Sequence, residues 1–128
     1  MSYYIAKTLD KDFEAAIAAV TAGLKEQGFG ILSDIDVQAT LKAKIGADMP
    51  KYRILGACNP RIAHEALGAE ARLGVMLPCN VIVRETADKR VEVATVDPVT
   101  AMERTGNPAL EPAAHKVRQL LSTVIERL

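Results

Sequence analysis

Two Cys-Asn steps, Cys58-Asn59 and Cys79-Asn80, hold the only cysteines in the chain. They sit in the runs Tyr52-Arg-Ile-Leu-Gly-Ala-Cys-Asn-Pro60 and Leu77-Pro-Cys-Asn-Val-Ile-Val83, where strand-like stretches meet a proline. A thiol is a nucleophile and a soft-metal ligand. Cys58 directly precedes an asparagine that can cap a helix, a setting that activates thiols. There is no Cys-x-x-Cys, so neither zinc-ribbon nor thioredoxin chemistry applies. The two cysteines can act together only if the intervening helix returns the chain to the same end of the sheet. A right-handed parallel crossover would leave them roughly 20 Å apart at about 3.3 Å per residue. An antiparallel or mixed arrangement would make them neighbours. Two small buried thiols, a ligand, metal or redox site, and a disulfide are all compatible with the residues alone.

Other groups carry weaker chemical signals. Asn59 reads as a cap. Asn80 lies early in a strand, where Asn is disfavoured, and so calls for a bulge, a backbone bond or a ligand. Arg53 and Arg84 could face each other across a sheet and hold an anion, or lie on a solvated face. Asp34 and Asp36 could form a carboxylate pair, although a solvated strand face explains them equally well. His64 and His115 fall off the apolar stripes and read as exposed and uninvolved. No Ser-His-Asp or Cys-His-Asn set can be assembled. The glycines form neither GxGxxG nor a P-loop.

The elements that must position these groups follow from periodicity. Ser2 to Thr8 reads as a strand. Thr8 or Asp10 is expected to cap a helix running to about Gln27, with Phe13, Ala16, Ile17, Val20 and Leu24 as its stripe. Gly28 suits the stop. Phe29 to Val37 alternates, with Phe29, Ile31, Ile35 and Val37 expected on one face. Ala39 to Ile45 is expected as a short helix with Leu41 and Ile45 inward. Lys51 to Cys58 is a third strand, and Asn59-Pro60 opens a helix that Gly74 closes. Val75 to Glu85 and Arg90 to Val96 make a hairpin. Asp97-Pro98 and Asn107-Pro108 repeat the Asx-Pro start, the last leading into a stripe of Leu110, Ala114, Val117, Leu121, Val124 and Leu128. Strands with helices segregated to one face give an α+β class, with an antiparallel or mixed β-sheet.

Composition bounds the function. A chain of 128 residues is expected to form one domain. Lys+Arg and Asp+Glu both number 16, so the net charge is zero, which argues against a nucleic-acid partner and leaves room for self-association. With no Trp, three Tyr and two Phe, a base-stacking platform is not expected. The start lacks the layout of a secretory leader, and no apolar run is long enough to span a bilayer. A soluble cytoplasmic protein with no membrane partner is the expectation.

The run Tyr52 to Pro60, Ala66-Leu67, Leu77-Pro-Cys-Asn-Val81 and Val96-Asp97-Pro98 resembles the family catalogued as domain of unknown function 302. Gly28-Phe-Gly-Ile-Leu32, Asp36-Val37 and Leu41-Lys42 fit it too. The resemblance implies a small bacterial or archaeal α+β domain with an antiparallel sheet and helices on one side, in a layout related to the TATA-binding-protein fold. That likeness is one of shape and implies no DNA binding. The resemblance also implies a homodimer. It names no activity.

Three functions are compatible with these features. The first is a homodimeric binding module with a site at Cys58, Asn59, Cys79 and Asn80. Arg53 is a further candidate, and the ligand would be a small molecule or a soft metal ion held by Cys58 and Cys79. The second is a Cys-dependent redox or thiol-transfer enzyme, which lacks an identifiable base. The third is a structural dimer with no ligand. Of the three, the binding module is the expectation.

Overall fold

Three Asx-Pro steps set helix starts as their chemistry dictates. The Asn59 side-chain oxygen accepts the Ile62 N–H at 3.3 Å, Asp97 accepts Val99 at 3.0 Å, and Asn107 accepts Ala109 at 3.0 Å. Pro60, Pro98 and Pro108 follow in the first turn, where a missing N–H leaves no partner wanting. The structure, a computed structural model, describes residues 2–128. The strands are β1 (Tyr4–Leu9), β2 (Gly30–Asp36), β3 (Tyr52–Cys58), β4 (Cys79–Glu85) and β5 (Val91–Val96). The helices are α1 (Phe13–Glu26), α2 (Val37–Ile45), α3 (Pro60–Ala69), α4 (Pro98–Glu103) and α5 (Glu111–Glu126). Short 3-10 turns occupy Leu73–Met76 and Pro108–Leu110. The chain is α+β. Among the described residues no helix is long and apolar enough to cross a membrane.

One five-stranded sheet runs in the order β1-β5-β4-β3-β2, every neighbouring pair antiparallel. Of the two arrangements expected, antiparallel or mixed, the sheet is the first. One face carries Leu55, Ala57, Cys79, Val81, Val83, Val91 and Val93. Against it pack Phe13, Ala16, Val20 and Leu24 of α1 and Val117, Leu121, Val124 and Ile125 of α5. Burying each Val, Leu, Ile or Phe among them is worth about 1.5–3 kcal/mol, and this cluster carries most of the driving force. Lys7 reaches from the same face to the end of α5, where its ammonium donates to the carbonyls of Leu128 at 2.7 Å and Glu126 at 3.1 Å. A cation there satisfies carbonyls that the helix leaves open. On the opposite face the register aligns Ile35, Ile54, Ile82, Ala94 and Ala6 in one row across all five strands.

Several expected details shift. Asp12, rather than Thr8 or Asp10, caps α1 through a 2.8 Å bond from the Ala15 N–H, because β1 continues to Leu9. The register of β2 slips between Ile31 and Ser33, where one extra residue, Leu32, makes a bulge. Ile31 therefore packs toward the core while Ile35 turns to the opposite face, and the uniform alternation over Phe29 to Val37 does not hold. The second helix starts at Val37, capped by Asp36, and Ile45 is 73% exposed rather than inward. α3 stops at Ala69, and a 3-10 turn consumes Val75 and Met76, so β4 begins only at Cys79 after a cis Leu77–Pro78 bond.

Candidate functional site

β3 and β4 are neighbours although α3 lies between them in sequence. β3 leaves the sheet at the end where β4 enters it. Ala57 pairs with Cys79, so Cys58, one residue on, stands beside it. The topology thus brings the two thiols together, as an antiparallel sheet allows. Both are free, Cys79 buried and Cys58 partly exposed. Burial, and secondarily the neighbouring Cys58, pushes the Cys79 thiol up to about 11. Cys79 is thus a neutral S–H at physiological pH, a poor nucleophile and a ligand only after losing a proton.

These residues line a pocket of about 340 Å³ at that end of the sheet. Cys58, Asn59 and Cys79 form its floor with Ala57, and α3 contributes Ile62, Ala63, Ala66 and Leu67. The far wall is Leu73, Leu77 and Pro78, and Met102 of α4 and Val117 of α5 close the back. Phe29 and the bulged Leu32 complete the rim. Among the described residues no Lys, Arg, His, Asp or Glu side chain lines this pocket. The size is near the lower end of small-molecule sites, and predominantly apolar walls with few polar groups are usual for them.

Two glycines hold the wall in place. Gly28 adopts φ +85°, which few side-chain-bearing residues tolerate, and a Cβ there would lie 3.2 Å from the Asn59 amide nitrogen. Gly56 makes room for Pro78. A Cβ on it would stand 2.7 Å from the proline Cγ and collide with the Ser33 hydroxyl. The bare backbone of Gly56 thus lets the residue before Cys79 pack onto β3.

Two residues expected at the site lie elsewhere. Asn80 points away from the pocket, exposed opposite Gly56, because adjacent strand residues alternate faces and Cys79 takes the inner one. Arg53, five residues before Cys58 and so roughly 16 Å up β3, holds Asp34. Its Nε donates to Asp34 Oδ1 at 2.7 Å and its Nη2 to Oδ2. That fork holds the Asp34 carboxyl below its usual range. Arg84 does not face Arg53: it lies opposite Tyr52, on the other side of the sheet, and its Nε donates to Glu92 at 2.8 Å. Asp36 caps α2 through the Ala39 N–H at 2.9 Å, so the two aspartates have separate structural partners. His64 and His115 are exposed, and neither lines the pocket. Among the described residues no group of three or more His, Cys, Asp or Glu side chains is placed to hold a metal ion. The residues that sequence reasoning missed are the distant wall, Leu73, Met102 and Val117. Of these only Val117 fell on a recognised stripe.

Comparison with curated proteins finds no match. The crystal structure of the uncharacterized conserved protein DUF302 from Bacillus stearothermophilus is similar, with a TM-score of 0.92 at 24% identity, over 99% of this chain and 98% of that one. Identity at that level speaks for the fold alone. The family model for domain of unknown function DUF302 matches residues 5–128, a span that contains every strand but the first residue of β1, both Cys-Asn steps and the whole pocket. On that match, the chain belongs to the DUF302 family.

Proposed function

We propose that this chain is a non-enzymatic binding domain that works as a homodimer in the cytoplasm and holds a small ligand in the Cys58–Cys79 pocket. The observation that carries the reading is the convergence of both thiols, from strand ends far apart in sequence, on one apolar recess of about 340 Å³. The free state of both thiols fits a reducing compartment. A Cys-dependent enzyme has less support, since the lining supplies no base and Cys79 keeps its proton. A two-coordinate soft metal ion is a second reading, favoured by the presence of both cysteines in one pocket lining.

The dimer draws support from the sheet face turned away from α1 and α5. Its row of Ile35, Ile54, Ile82, Ala94 and Ala6 is apolar across the full width, and Ile35 is 47% exposed. A two-fold axis near Ile54 and Ile82 would lay this patch on its own copy, as an isologous interface requires. Native mass spectrometry of freshly purified protein under reducing conditions tests both claims. The expected spectrum is a dimer carrying a small-molecule or metal adduct, which Ala63→Phe removes and which Ile82→Lys converts to monomer. A monomer mass at all concentrations would refute the dimer, and an adduct that survives Ala63→Phe would refute the site.

A further inference from the structure

Resting on the reading of this pocket as the binding site, we infer that its occupant is a neutral apolar molecule of about two rings, in preference to an anion or a metal ion. The walls decide the class. Among the described residues no cationic side chain lines the pocket, so a bound anion would be desolvated with nothing to balance it. The N-terminus of α3 does not substitute, because the Asn59 oxygen already takes the Ile62 N–H there. Among the described residues Asn59 is the one amide, hydroxyl or charged side chain in the lining: its oxygen is committed to the cap, and its amide nitrogen, beside Gly28, is a single uncharged donor that cannot balance an anion.

A metal ion is disfavoured on separate grounds. Among the described residues it would find two thiols and, apart from the Met102 thioether, no side chain in the lining that commonly ligates a metal, and it would have to displace a proton from Cys79, held up to about 11 by burial. An apolar guest meets none of these costs. Neutral S–H groups behave as small hydrophobes, and the Met102 thioether adapts to irregular shapes. The volume sets the size: a cavity of about 150 Å³ lined by aliphatic and aromatic groups takes benzene, and this one is a little over twice that. Leu32 and Leu67, 69% and 40% exposed, stand at the mouth as apolar side chains that a guest would cover.

A matched pair of dyes tests the class. N-phenyl-1-naphthylamine is neutral, and 1-anilinonaphthalene-8-sulfonate is the same skeleton with an anionic group. Both are titrated by fluorescence into the reduced full chain, with copper(I) and zinc added separately and followed by native mass spectrometry. The expected result is saturable, blue-shifted binding of the neutral dye with the sulfonate at least tenfold weaker. Ala63→Phe, with circular dichroism confirming the fold, should remove it, and the bound neutral dye should slow alkylation of Cys58 in the unmodified chain. If the sulfonate or a metal ion binds in the manner that Ala63→Phe blocks while the neutral dye does not, the pocket stands as the site but the inferred class is wrong. If the neutral dye binds without slowing Cys58 alkylation and regardless of Ala63→Phe, or if no probe binds, both the class and the site fall.

Discussion

The molecule has two apolar clusters, and they are built differently. In the larger one, α1 and α5 lie along the sheet, and Ala16, Val20, Leu24, Val83 and Val93 are wholly out of contact with water. The smaller one joins Ala66 of α3, Leu73 of a 3-10 turn, Met102 of α4, and Leu110 and Ala114 before and within α5. Long helices against a pleated sheet repeat their stripes often enough to interdigitate and fill space. A six-residue helix and single turns cannot present a repeating face, and the recess beside the cysteines lies where they meet. Function is therefore to be sought on the seam between the two clusters: the filled one supplies Phe29, Ala57, Cys79 and Val117 to the recess, and the smaller one supplies Ala66, Leu73 and Met102.

Truncating a leucine should cost the two clusters different amounts. Leu55 and Leu73 are both 1% exposed. Leu55→Ala removes a side chain from the filled cluster and should cost about 3–5 kcal/mol in chemical denaturation. Leu73→Ala, beside an existing hollow and on a short turn that can relax, should cost about 2–3 kcal/mol. An equal or larger loss at Leu73 would mean that the two clusters are packed alike.

Next is the alkaline side of the stability curve. Cys79 keeps its proton to about 11 in the folded chain, against an ordinary 9.0. The folded state therefore binds that proton more tightly than the unfolded state does. Its contribution is whole below about pH 9 and is lost as pH rises through 11, a difference of about 2–3 kcal/mol. Wild type should lose that much more unfolding free energy than Cys79→Ala between pH 8.5 and 11. Parallel curves for the two proteins would show Cys79 to be open to water and the floor of the pocket to be wet.

A milder change touches the edge of the recess. Asn59→Ala removes the α3 cap and should cost about 1 kcal/mol. Because Asn59 also lines the pocket, alkylation of Cys58 should quicken in the same variant. A stability loss with an unchanged alkylation rate would separate the cap from the pocket wall.

Much of the filled cluster was readable from periodicity. Of the two expected stripes, Phe13, Ala16, Val20 and Leu24 and then Leu110, Ala114, Val117, Leu121 and Val124 are buried as spaced, while Ile17 and Leu128 are only partly so. The three Asx-Pro starts were readable because cap and proline act through their immediate neighbours, whatever the tertiary fold. The bulge at Leu32 was not, since an inserted residue changes the phase of a strand without changing its composition. Nor was the early end of α3, where the chain turns at Glu70 and the nearest glycine, Gly68, lies inside the helix rather than after it. At the candidate site, Cys58, Asn59 and Cys79 were placed together only on condition that β3 and β4 paired antiparallel, which no local pattern dictates. Asn80 and Arg53 lie off the site for different reasons: Asn80 follows Cys79 and so takes the opposite face of β4, whereas Arg53 shares the face of Cys79 but stands roughly 16 Å along β3 from Cys58.

The extra residue in β2 has one more consequence, for how the sheet stops growing. β2 is an outer strand, and a straight one would offer its free amides and carbonyls to any extended chain that drifted past. The kink at Leu32 spoils that template, and Asp34 and Asp36 beyond it add charge where a docking strand would have to lie. The leucine pushed out of line would otherwise invite fibrillar stacking, yet it leans over the thiol recess instead. A single surplus residue thus ends the sheet safely and furnishes the lip of the cavity.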